Sequence, residues 1–145
     1  DAAGDPLRLG IAARPFMVKA NHLELSESTG RALSSVKDVA QAGREIARSA
    51  ATRLLITLGG AGAVLATADG CWQLTPPEVD RVSTIGAGDS LTAGLAAGLM
   101  QGSPLLDAVR LGIAAAADDV TTLLPGTIEA ERVQELTAQV RVENA

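Results

Sequence analysis

The residues of this chain best placed to do chemistry lie in Ser83-Thr84-Ile85-Gly86-Ala87-Gly88-Asp89-Ser90. A β-like segment runs into a small-residue turn and then an acid. An apolar pattern follows that predicts a helix over residues 89–100. Gly86 and Gly88 carry no Cβ, so the backbone can turn tightly and aim its N–H groups at a ligand. The first N–H groups of the helix have no partner inside it, and the dipole at that end favours negative charge. Gly86, Ala87 and Gly88 are therefore a candidate anion hole, with the Asp89 carboxylate beside it. That pairing suits phosphoryl transfer: the N–H groups stabilise charge on the moving group, and the acid takes the proton of an attacking hydroxyl. The same residues also suit a glycine-rich helix start with Asp89 as its cap, and on this segment alone both readings stay open.

The elements that must position these residues alternate between strand and helix patterns. Residues 5–13 suit a short helix ended by Pro15, and Phe16-Met17-Val18 reads as a brief buried strand. Asn21 opens a short helix, with Glu24 at the third position of a capping box. Ser35 and Asp38 form a second such box ahead of a helix over 36–50, with Val39, Ile46 and small alanines inward. Residues 53–58 read as a strand buried on both faces, ended by Gly59-Gly60. Segments 62–68 and 71–74 flank Asp69-Gly70, a hairpin turn signal. Pro76-Pro77 leads into the β-like segment 79–84. Helices follow over 89–100, 104–123 and 128–140, the last two separated by Pro125-Gly126. The expectation is a layered α/β fold of mostly parallel strands with one hairpin and a helical tail.

Three motifs in order make the chain resemble the ribokinase/pfkB family of carbohydrate kinases over residues 1 to about 140. The Ser83–Asp89 segment is similar to that family's D-T-x-G-A-G-D, with Ser83 at the first position. Lys19-Ala20-Asn21-His22-Leu23-Glu24 is similar to its K-P-N-x-x-E, with Ala20 in place of proline. Thr57-Leu58-Gly59-Gly60-Ala61-Gly62 falls at a strand end where the family contacts ATP. Pro76-Pro77-Glu78-Val79 followed by Ser83-Thr84 favours the branch of 1-phosphofructokinases, 6-phosphofructokinase-2 and tagatose-6-phosphate kinases.

The resemblance implies a ribokinase-like α/β/α fold, of which this chain is the nucleotide-binding C-terminal half, without the sugar-binding half and its lid. Asp1-Ala2-Ala3-Gly4 then falls on a strand end. ATP contacts are implied at Lys19, Asn21, Thr57, Gly59, Gly62 and Gly88, and catalysis of transfer to a phosphorylated sugar at Asp89. Magnesium is implied at Asn21 and Glu24, through water, since this ion takes hard oxygen ligands and keeps much of its hydration. Ser83, Ile85 and the Gly126 loop correspond to a region that binds potassium in some relatives. Ala114–Ala117 could admit an adenine, but small side chains mid-helix more simply serve packing. Asp118-Asp119 stands where the family is small and apolar.

The bulk numbers agree with this picture. At 145 residues and 47% hydrophobic content, the chain can bury a core. A net charge of −5 and two aromatics, Phe16 and Trp72, argue against a nucleic-acid surface. No apolar run approaches the ~20 residues that span a bilayer, and no signal-like start directs export, so a cytoplasmic protein is expected. Cys71, the single cysteine, reads as a small apolar strand residue, and His22, the single histidine, as solvent-facing. A missing half would leave a sheet face or edge uncovered, inviting association with a second copy or with a complementing N-terminal half.

Overall fold

The computed structural model describes residues 2–145 and divides into two compact units. The first runs up to Leu74 and includes Val142–Ala145; the second is Thr75–Arg141.

In the first unit, α1 (Gly4–Ala12) precedes β1 (Val18–Asn21), α2 (His22–Thr29), α3 (Val36–Ala50), β2 (Leu54–Thr57), a 3-10 turn (Gly59–Ala61), β3 (Ala63–Ala66) and β4 (Cys71–Thr75). The sheet order is β1-β2-β3-β4-β5, where β5 is Arg141–Asn144. Both capping boxes form. Asp38 N–H donates to Ser35 Oγ at 3.1 Å, and Asp38 Oδ2 accepts from Ser35 N–H at 3.0 Å. With its start fixed, α3 lays Val39, Ala40, Ala42, Gly43 and Ala47 onto β2 and β3. A Cβ at Gly43 would lie 2.9 Å from Ile56 Cδ1, so glycine is what lets helix and sheet approach this closely. Leu54, Ile56, Val64 and Ala66 complete this core, and Leu55 and Leu65 are also buried, as a strand enclosed on both faces requires. Fully burying a side chain of this size is worth roughly 1.5–3 kcal/mol. Cys71 belongs to the same core, and burial pushes its thiol up from the ordinary value.

The layered α/β fold stands, with five differences in detail. Parallel pairing holds β1 to β2, whereas β2–β3 and β3–β4 are antiparallel. The short 3-10 turn between β2 and β3 allows only a reversal of direction, because a parallel return needs a crossover of a dozen or more residues. The first strand begins at Val18 rather than Phe16; Phe16 is exposed, and the Arg53 guanidinium stacks 4.4 Å from its ring centroid. Segment 79–84 forms no strand: Val82 and Ser83 N–H groups both donate to the single carbonyl of Val120, at 2.7 and 3.2 Å, which makes no ladder. The chain ends not in a helix but in β5. Ala2 and Ala3 form no strand and Gly4 begins α1, while Asp1 lies outside the described residues.

In the second unit, α4 (Ala87–Met100), α5 (Leu105–Asp119) and α6 (Ala130–Gln139) follow one another. Small residues bring α4 and α5 together: a Cβ at Gly98 would lie 2.9 Å from Ala108 Cα, and one at Gly94 3.0 Å from Ala115 Cβ. The alanine run of α5 thus serves packing, with Ala114, Ala115 and Ala117 buried. No helix among the described residues is long and apolar enough to cross a membrane.

Candidate functional site

The candidate residues fall into two groups, one in each unit. In the first unit they gather at the carboxyl ends of two parallel neighbours. Lys19 and Asn21 lie on β1, Thr57 ends β2, and Asn21 is the register partner of Thr57. In open α/β sheets ligands collect beyond such strand ends. After β2 the backbone turns through Gly59 (φ 59°) and Gly62 (φ 94°), and Leu58 N–H donates to Gly62 O at 2.8 Å. These left-handed conformations are ones that glycine adopts without a Cβ clash.

Asn21 is the N-cap of α2. Its Oδ1 accepts the Glu24 N–H at 2.9 Å, and Glu24 Oε2 accepts the Asn21 N–H at 2.8 Å. The capping reading of this motif is therefore realised, and it consumes one oxygen of each side chain. Glu24 Oε1 takes no part in the box. Among the described residues no group of three or more His, Cys, Asp or Glu side chains comes together. One carboxylate oxygen does not make a cage, but it fits magnesium, which binds through one or two carboxylates and retains water. His22, expected to face solvent, is half-buried at the start of α2, with Nδ1 enclosed and without a hydrogen-bond partner among the described residues.

In the second unit the Gly86 turn does start a helix, but without a side-chain cap. Gly86 is the N-cap of α4 in a left-handed conformation (φ 89°, ψ −14°). A capping box ordinarily starts from an extended N-cap, and none closes here. Asp89 sits in the first turn of α4, exposed, and its carboxylate has no hydrogen-bond partner among the described residues. It is not a cap. Its own N–H and that of Ser90 both donate to Gly86 O at 2.9 Å, and the Ala87 N–H reaches Thr84 O at a long 3.4 Å. Among the described residues, the N–H groups of Gly86 and Gly88 have no protein acceptor. Two N–H groups without protein acceptors and an exposed carboxylate thus share one helix N-terminus, an arrangement able to receive an anion.

Gly86 cannot be replaced without disturbance. A Cβ there would stand 2.7 Å from Pro125 Cβ and 3.2 Å from Asp119 Oδ2. These two contacts were missed in the sequence, although two adjacent acids closing an apolar helix just before Pro125-Gly126 were a visible irregularity. Asp119 Oδ1 accepts the Gly126 N–H at 2.6 Å.

Comparison with known proteins agrees with these motifs. The profile of the pfkB family carbohydrate kinase matches residues 4–131. The 1-phosphofructokinase of Bacillus subtilis (strain 168) is 33% identical over 142 residues, covering 98% of this chain and 46% of that protein. The 1-phosphofructokinase of Escherichia coli (strain K12) is 36% identical over 140 residues, covering 97% of this chain and 45% of that protein. The chain therefore spans about half the length of these relatives. Phosphofructokinase-2 from Escherichia coli, solved in complex with potassium, superposes with a TM-score of 0.86 at 31% identity, over 94% of this chain and 45% of that one. With its turn, capped helix and strand-end glycines in the family's order, and a profile match over most of its length, the chain belongs to the pfkB family of carbohydrate kinases.

Proposed function

We propose that this chain is the nucleotide-binding part of an ATP-dependent kinase that phosphorylates a hydroxyl of a phosphorylated sugar, a reading supported by relatives named 1-phosphofructokinase. The observation that carries the proposal is the exposed, unpartnered Asp89 carboxylate beside the Gly86 and Gly88 N–H groups at the start of α4. Asp89 takes the proton of the sugar hydroxyl, and Gly86, Ala87 and Gly88 form the anion hole that stabilises charge on the transferring phosphoryl group. ATP contacts are assigned to Lys19, Asn21, Thr57, Gly59, Gly62 and Gly88, as the family motifs imply for them. Magnesium, when bound, offsets phosphate charge; Glu24 and Asn21 orient its hydration shell from a helix start made rigid by the capping box. A role for potassium is supported by the potassium complex of the similar phosphofructokinase-2.

The direct test replaces the base. In the intact enzyme, Asp89→Asn keeps the size of the side chain and removes its proton affinity, and should lower kcat by ~10²–10⁴. A loss below about tenfold would remove the assignment of the base. A second reading, a part that binds nucleotide but transfers phosphate only together with a complementing half, is favoured by the 45–46% coverage of the relatives and by the position of β1 at one end of the sheet. Under that reading MgATP binds this chain without turnover, and activity appears when the complementing half is supplied.

A further inference from the structure

The acid pair closing α5 has no part in the chemistry above. Asp118 and Asp119 are 2% and 1% exposed. The charge of Asp118 is compensated: Oδ1 lies 3.1 Å from Arg132 Nε, and Oδ2 accepts the Glu129 N–H at 2.8 Å. Asp119 is different. Its Oδ1 accepts the Gly126 N–H at 2.6 Å, while its buried Oδ2 has no hydrogen-bond partner among the described residues. An unpartnered carboxylate oxygen in the interior is costly, and a small apolar side chain would fill the space without that cost.

What Asp119 does achieve is visible at Gly86. Its hydrogen bond holds Gly126, the neighbour of Pro125, and Pro125 and Asp119 Oδ2 are the atoms nearest to where a Gly86 Cβ would stand, at 2.7 and 3.2 Å. We infer that Asp119 is a positioning residue for the Gly86–Asp89 turn: by tethering Gly126 it seats Pro125 against Gly86, and so sets the direction in which the N–H groups of the turn face. The inference rests on the reading of that turn as a phosphate cradle. The tie made by Asp118 reaches instead to Glu129, the N-cap of α6, and serves a different end of the loop.

The test follows backbone amide resonances of the whole chain by NMR, without ligand and during MgATP titration, in wild type, Asp119→Ala, Asp119→Asn and Asp118→Asn. Asp119→Ala should displace the Gly86, Ala87 and Gly88 resonances and weaken MgATP binding about tenfold or more. Asp119→Asn retains an acceptor for the Gly126 N–H and should return affinity to within about threefold of wild type. Asp118→Asn should leave the turn resonances where they are. If Asp119→Ala does not fold, Pro125→Ala, which removes the ring seated on Gly86 while keeping Asp119, should displace the same three resonances. Unmoved turn resonances in Asp119→Ala and Pro125→Ala, or an Asn variant as impaired as the Ala one, would overturn the inference. A wild type that ignores MgATP would instead defeat the functional reading, and the unliganded resonances would still decide whether Asp119 positions the turn.

Discussion

Asn21 and Thr57 stand opposite each other at the ends of the parallel pair β1 and β2, and Asn21 is at the same time the cap of α2. One residue thus ends a strand, starts a helix and faces a neighbouring strand end. A polar group held by three local constraints is a rigid mount for a ligand, which is why capping and binding need not compete here.

The two duties can be separated by substitution. Asn21→Ala removes the acceptor for the Glu24 N–H and should cost about 0.5–2 kcal/mol of stability. Glu24→Gln keeps an oxygen for the Asn21 N–H and should change stability by less than about 0.5 kcal/mol. It should nevertheless raise the magnesium concentration needed for nucleotide binding. Equal magnesium dependence in wild type and Glu24→Gln, read by titration at fixed ATP, would confine Glu24 to its structural duty.

Gly86 should be the least replaceable glycine of the second unit's turn. Alanine there meets a left-handed backbone and the Pro125 ring together, for an expected loss of about 2–4 kcal/mol. Gly30 provides the control: it is also left-handed (φ 66°), but a Cβ there meets nothing within 4 Å. Gly30→Ala should cost only about 1–2 kcal/mol. Denaturant unfolding of both variants checks the difference, and equal losses would contradict the packing at Pro125.

Acid should weaken the start of α3. The Ser35 hydroxyl and N–H, with Ser34, hold the Asp38 carboxyl below its ordinary value. A carboxyl depressed in the folded state contributes stability above its unfolded value and loses it as pH falls through the folded one. The stability difference between wild type and Asp38→Ala should therefore be largest near neutrality and close as pH is lowered to about 2. A difference that stays constant with pH would show that the charge of Asp38 plays no part.

Much of the fold was legible because local chemistry declared it. The second capping box marked Val36 as the start of α3, and Asp69-Gly70 marked the turn between β3 and β4. β5 was not legible: Arg141-Val142-Glu143-Asn144 lies at the sheet's end with little burial, so it carries no apolar alternation. The β-branched residues of 79–84 imitated a strand, but a propensity cannot supply the neighbouring backbone that a ladder needs. At the candidate site, the identity of the turn was readable from Gly86, Gly88 and Asp89. The support beneath it was not, because Asp119 and Pro125 reach Gly86 from more than thirty residues away along the chain.

The central claim is that the Gly86–Asp89 turn receives the phosphates of ATP. The measurement that tests it most directly is thermal unfolding of this chain with and without excess MgATP, in wild type and in Gly88→Val, which places a branched side chain in the first turn of α4. A ligand that binds only the folded state stabilises by about 2.7 kcal/mol at ~100 times its dissociation constant, a clearly visible rise in Tm. The account predicts that rise in wild type and its loss in Gly88→Val. The absence of any rise in wild type, or a rise that survives unchanged in Gly88→Val, would contradict it.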